Sequence, residues 1–186
     1  MDMVNRTMLL RIVGMLLVVL FGIVGVACSS KKPLPITSTT TSIRTMSTGE
    51  LLYAGNKLDE TNWDMVEVLL PGYLSKKFPF GAVQFRHTTN KDKCLMSNGF
   101  WMALGDCSLV DSGDYRTLFS MLPTSSGALQ IQSIASDGCL VVESSGKKIA
   151  QSLRIKPCFS DRQSTIDLRW LWILTPPIID AKLSEI

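Results

Sequence analysis

Histidine is almost missing from this chain of 186 residues, which holds one, His87. With a single histidine and no C-x2-C spacing there is no zinc ligand set, so neither a metal site nor a cofactor is expected. No G-x-S-x-G turn occurs, which removes the strained nucleophile seat of the hydrolases. Charge of one sign is also scarce. Lys and Arg number 19 against 16 Asp and Glu, a formal net charge of +3 without like-charge blocks. Nucleic-acid binding calls for a dense basic patch and is not expected. The length suits one domain with a sizeable core better than two.

A long hydrophobic run is lacking too. The apolar stretch Ile12 to Ala27 has no charge and no proline, yet it falls short of the roughly 20 residues that span hydrocarbon. Arg6 and Arg11 precede it, the order of a signal peptide's basic and apolar regions. A retained, tilted anchor is the alternative. Gly25, Val26 and Ala27 followed by Cys28 resemble the lipobox of bacterial lipoproteins, with Gly25 where leucine is usual. That resemblance implies cleavage before Cys28 and acylation of its thiol. With Ser29 and Ser30 and no Asp after the cysteine, it also implies an outer-membrane address. Each buried acyl methylene adds about 0.8 kcal/mol of anchoring. The Ser/Thr/Pro/Lys stretch that follows reads as a flexible tether, because Pro33 and Pro35 forbid a regular helix. Leu34 and Ile36 offer an alternative, a strand that orders on a partner's edge. The expected organisation is residues 1–27 signal peptide, 28–42 lipidated linker, 43–177 folded domain and 178–186 tail.

Four cysteines remain, Cys94, Cys107, Cys139 and Cys158, and four allow three connectivities. Context favours pairing within two units. "KDKCLMSNGFWMALGDC" and "SDGCLVVESSGKKIAQSLRIKPC" each open on Cys-Leu after a turn signal and close on a second Cys. Each bridge closes a short loop and adds about 2 to 4 kcal/mol. The units lie inside a longer repeat, with Cys94 to Cys139 spanning 45 residues and Val83 to Leu129 spanning 46. "VQF", "KCL" and "TLFSMLPTS" are matched by "LQI", "GCL" and "RWLWILTPP". The turn pairs Asn98-Gly99, Ser112-Gly113, Asp137-Gly138 and Ser145-Gly146 are the punctuation of hairpins. A third, cysteine-free unit lies over Ile43 to Leu70, with Trp63 in the position of Phe119 and Trp172. Three units of four short strands predict an all-β chain with a β-trefoil fold, in which no unit buries its own face alone. A generic β-sandwich is the alternative.

"FGAVQF" (Phe80–Phe85), "TLFSMLPTSSGALQIQS" (Thr117–Ser133), "IKPC" (Ile155–Cys158) and "WILTPP" (Trp172–Pro177) resemble the C-type subunit of the bacterial cytolethal distending toxins, over about Ile43 to Pro177. The A-type subunit shares the trefoil, and it is usually longer, with a Pro-rich region that has no room here. The resemblance implies a ricin-B-like lectin subunit. Such a protein pairs with the A-type lectin on the host surface and delivers the B-type component, a DNase I-type nuclease. The chain is not that nuclease, whose site needs paired histidines with acidic partners. His87 is expected in a surface loop, and the chain is expected to be a non-enzyme. The alternatives are a standalone lipid-anchored lectin or adhesin, or the A-type subunit of the same toxin.

Binding residues are less defined. Ricin-type lobes use a Q-x-W triplet, and here the triplets degrade to "LFS" (Leu118–Ser120) and "RWLW" (Arg169–Trp172), so conventional galactose pockets are not expected. Phe100 and Trp101, beside Gly99, are candidate surface aromatics that stack on sugars or headgroups, with core burial as the alternative. "LPGYLSK" (Leu70–Lys76) matches the L-x-x-Y-x-x-K pattern proposed for cholesterol, with Leu70, Tyr73 and Lys76 as its members. The resemblance places a sterol site in this region. Host cholesterol or a glycoconjugate is thus the expected surface partner. The tail from Ile178 to Ile186 is expected either to lie along a neighbouring subunit or to be solvated.

Overall fold

Short alternating segments fold here as short strands, and the strands close on themselves. The computed structural model describes residues 38–52, 62–99, 101–143, 153–159 and 167–179. In chain order these give β1 (Ser38–Thr45), β2 (Asn62–Val68), α1 (Gly72–Lys77), β3 (Ala82–His87), β4 (Lys93–Asn98) and β5 (Trp101–Asp106). After them come β6 (Phe119–Pro123), β7 (Leu129–Ser133), β8 (Gly138–Val142), β9 (Leu153–Pro157) and β10 (Trp172–Thr175). Short 3-10 turns lie at Cys107–Ser112, Tyr115–Thr117 and Leu168–Trp170. Every pairing is antiparallel, and β1–β2–β3–β6–β7–β10 returns to β1. That ring is a closed six-strand barrel, which removes the free edges a sandwich would keep.

Each lobe gives two strands to the ring. Lobes two and three add the hairpins β4–β5 and β8–β9. In lobe one the Arg44–Leu51 bridge takes the place of Arg86–Cys94, and residues 53–61 lie outside the described set. The core repeats three times. Ile43, Phe85 and Ile131 come from the first strands; Leu52, Leu95 and Leu140 follow the bridge or cysteine positions; Trp63, Phe119 and Trp172 come from the last strands. All lie within one cluster and are 4% exposed or less. Burying each such side chain contributes about 1.5–3 kcal/mol. The indole N–H of Trp63 donates to Leu52 O at 3.0 Å, and that of Trp172 donates to Leu140 O at 3.0 Å. Phe119 has no N–H for the matching bond. The architecture is an all-β trefoil.

Three expectations change. The linker does not extend to residue 42, because Ser38–Ser42 pair with Asn62–Val66 and Thr41 and Ser42 are buried. Side-chain bonds hold this start in place: Thr40 Oγ1 to Asp64 Oδ1 at 2.6 Å, Thr41 Oγ1 to Thr175 O at 2.9 Å and Ser42 Oγ to Asn62 Oδ1 at 2.7 Å. His87 is no surface-loop residue. It is 6% exposed at the end of β3 and edge-on to Trp63, with ring centroids 6.1 Å apart. Its Nδ1 accepts the backbone N–H groups of Thr89 and Asn90, and so holds the β3–β4 turn. At Asp137-Gly138 the left-handed residue is Asp137, with φ +60°, while Gly138 already belongs to β8. The expected signal peptide, Cys28, residues 28–37, the Ser145-Gly146 turn and the tail from residue 180 lie outside the described residues.

Candidate functional site

The sequence "LLPGYLSKKFPF" builds the most exposed apolar surface described. Pro71 cannot donate, so it starts the short helix α1, and its carbonyl accepts from Leu74 N at 2.9 Å and Ser75 N at 3.0 Å. Phe78, 2% exposed, closes the helix by donating its N–H to Leu74 O at 2.8 Å. Leu70 and Leu74 pack on a second cluster made by Phe78, Ala82, Leu118 and Ile134. Thus Leu70, first of the three sterol-pattern residues, turns into this cluster. Tyr73 is 67% exposed, with Leu69 at 98% and Phe80 at 57% nearby in the chain. Lys76 is exposed as well. The neighbouring Tyr73 hydroxyl, with burial, raises the Tyr115 phenol above its ordinary value. Lys77 pairs with Asp137 at 2.7 Å and lies 5.2 Å above the Phe78 ring.

The hairpin tip is narrower in content. Asn98 pairs with Trp101, and Gly99 takes φ +68°, which a non-glycine residue adopts at a cost. Phe100 and the side chain of Trp101 lie outside the described set.

The lectin triplet positions go inward. Trp63, Phe119 and Trp172 are fully buried, and Thr117, two before Phe119, accepts from Gln84 Nε2 at 3.1 Å. Trp170, two before Trp172, donates its indole N–H to Pro157 O at 3.1 Å and stacks under Arg169 at 5.7 Å. The triplets extend into a longer repeat: Asp114-Tyr115-Arg116-Thr117-Leu118-Phe119 matches Asp167-Leu168-Arg169-Trp170-Leu171-Trp172. In each, the Asp accepts the Arg backbone N–H and both carboxylate oxygens take the guanidinium. The Arg116 hydrogen bond holds the Asp114 carboxyl below its ordinary value against burial, and Arg169 does the same for Asp167. Aligning the chain on Phe119 and Trp172 makes both hexads readable.

Two disulfides brace the hairpins. Cys94 pairs with Cys107 and Cys139 with Cys158, each within its own repeat unit. The start of the tail lies on its own trefoil: Asn62 Nδ2 donates to Ile178 O at 2.8 Å, and Ile178 N donates to Asn62 Oδ1 at 2.9 Å. Among the described residues no group of three or more His, Cys, Asp or Glu is placed to hold a metal. No helix there is long and apolar enough to cross a membrane.

Comparison with known proteins agrees with this geometry. Residues 40–183 match the family model described as the cytolethal distending toxin A/C domain. The C-type subunit of the cytolethal distending toxin of Escherichia coli is 26% identical over 142 residues, which cover 73% of this chain and 75% of that protein. The crystal structure of cytolethal distending toxin from Actinobacillus actinomycetemcomitans superposes with a TM-score of 0.62 at 20% identity, covering 84% of this chain and 97% of that one. A β-trefoil called BEL superposes at 0.53 with 13% identity, covering 77% and 97%.

Proposed function

Because this chain belongs to the cytolethal distending toxin A/C domain family, we propose that it is the non-catalytic C-type subunit of a tripartite toxin. In this reading it pairs with an A-type lectin subunit, engages the host surface and delivers the B-type nuclease. The match across residues 40–183 carries the proposal. The surface around α1 supports the host-facing half. Tyr73 offers a ring to sterol or headgroup, Lys76 a cation to the phosphate layer, and Leu69 and Phe80 apolar area beside them. Leu70 supports the site from beneath rather than touching a ligand, since it packs in the second cluster. Cys28 is proposed as the acylated anchor that keeps the protein on the bacterial outer membrane before release.

The test is reconstitution. The chain carrying Cys28→Ser is refolded under oxidising conditions with an A-type and a B-type partner, and the mass and composition of the product are measured. An equimolar three-protein species is expected. It should sediment with cholesterol-containing vesicles, and Tyr73→Ala should weaken that sedimentation while leaving assembly intact. A monomer that ignores both partners yet binds cells would make the chain a standalone adhesin. Vesicle binding unchanged by Tyr73→Ala would remove the sterol site alone.

A further inference from the structure

A polar cleft of about 300 Å³ opens beside the Cys94–Cys107 disulfide, away from α1's exposed residues in sequence and in lining. One wall is Arg86 on β3 with Lys91 and Asp92 on the turn after it. The other is Asp106 at the end of β5 with Val110 and Asp111 on the 3-10 turn that follows. Two of these charges are already spoken for: Lys91 pairs with Asp64, and Asp106 with Lys93. Among the described residues, Arg86, Asp92 and Asp111 have no opposite charge within ion-pair distance, although the field of Arg86 does reach Asp64.

Arg86 is held ready. Gln84, fully buried, donates Nε2 to Cys107 O at 2.8 Å and to Thr117 Oγ1 at 3.1 Å. Its remaining oxygen accepts Arg86 Nε at 3.3 Å and Nη2 at 3.1 Å. The repeat supplies a control within the same molecule. In lobe three Gln130, the counterpart of Gln84, donates to Phe159 O at 2.9 Å and accepts Phe159 N at 2.8 Å. There both ends of the amide are spent on the loop after the second cysteine. In lobe two the oxygen is given to Arg86 instead. A half-buried guanidinium fixed by a neutral amide, with N–H donors left over, is the arrangement that receives a phosphate or carboxylate.

We propose that this cleft binds a small zwitterion, a phosphate a few bonds from a primary ammonium, as in phosphoethanolamine. The phosphate sits on Arg86. The ammonium donates to Asp92 and Asp111, which lack any other cation among the described residues. A simple anion is disfavoured by those two carboxylates, and a simple cation by the Arg86 guanidinium on the same wall as Asp92. The lining also separates primary from quaternary ammonium. It holds no aromatic ring, and a quaternary group has no N–H to donate and relies on aromatic faces. This assignment stands whether or not the chain pairs with other toxin components.

Titration calorimetry on the full chain tests it with phosphoethanolamine, phosphocholine and inorganic phosphate. Phosphoethanolamine is expected to bind roughly tenfold more tightly than either of the others, the effect of one charge-assisted contact. Arg86→Gln is expected to weaken phosphoethanolamine roughly tenfold or more on the same basis. Asp111→Asn, at an exposed position, is expected to reduce phosphoethanolamine towards the level of inorganic phosphate. Asp111→Asn also decides the matter if Arg86→Gln fails to fold. Sedimentation with phosphatidylcholine vesicles, with and without phosphatidylethanolamine, tells a lipid headgroup from a soluble ligand. Retention only with phosphatidylethanolamine supports the membrane source, and binding of the free compound without retention supports the soluble one. No measurable binding, equal binding of phosphate and phosphoethanolamine, or unchanged binding in a folded Arg86→Gln or Asp111→Asn variant would overturn the proposal.

Discussion

Gly138 is a glycine for room rather than for rotation. The residue before it, Asp137, takes the left-handed backbone conformation at φ +60°. Its carboxylate accepts Gln132 Nε2 at 2.8 Å and pairs with Lys77, so side-chain contacts help to offset that conformation. Gly138 instead faces β9: a Cβ placed there would lie 2.5 Å from Ile155 Cγ2 and 3.0 Å from Lys156 O. One of those atoms is backbone in the paired strand and cannot rotate away. Gly138→Ala is therefore expected to lower stability by about 1 to 3 kcal/mol, the usual cost of overpacking. Urea unfolding of the two proteins checks this, and equal midpoints would mean that β9 shifts freely. In the sequence the Asp137-Gly138 pair marks only a turn. A methyl-sized gap that a strand from farther along the chain has filled leaves no mark there. His87 misleads in a similar way, because its burial comes from Trp63 on the paired strand.

At the scale of elements, the barrel strands β6 and β10 are each entered through the same device. A 3-10 turn starts at an Asp that caps it and grips the Arg two residues on, then a buried Leu leads to the core aromatic. Both carboxyls are held below the ordinary aspartate value of 3.8, chiefly by that Arg. The ionised form is thus favoured in the folded chain. Its contribution is complete above the unfolded value and disappears as pH falls through the lower folded values. With Asp114→Asn and Asp167→Asn combined, the melting-temperature difference from the native chain should stay constant from about pH 7 down to about pH 5 and shrink below about pH 4. Circular dichroism melts across that range provide the measurement. A difference that persists undiminished at about pH 2 would mean the two turns depend on capping geometry and not on charge.

For the whole molecule, closure explains what was legible and what was not. The paired Cys-Leu units and the threefold recurrence of apolar first strands and of late aromatics announce a trefoil because each lobe must present the same faces to one shared barrel. Trp63, Phe119 and Trp172 can therefore be aligned before their burial is known. The N-terminal boundary carries no such mark. Ser38 to Ser42 alternate nothing apolar, and they are strand because β2 offers them a ladder and Asn62, Asp64 and Thr175 take their hydroxyls. The cleft at Arg86 is silent in sequence for a related reason: whether a charge is free depends on which partners the fold has already used. β1 is the strand that joins β2 to β10, so its first half matters out of proportion to its composition. A chain that begins at Ile36 keeps the whole of β1 and is expected to melt as the longer chain does. One that begins at Ile43 loses the Ser38–Ser42 ladder, the buried Thr41 and Ser42, and the hydroxyl bond to Asn62, which also holds Ile178. With several hydrogen bonds lost at about 1 kcal/mol each, most of an ordinary domain's margin of about 5 to 15 kcal/mol is at risk. The Ile43 form should unfold at far lower urea or fail to refold, whereas equal midpoints would return residues 38–42 to the linker.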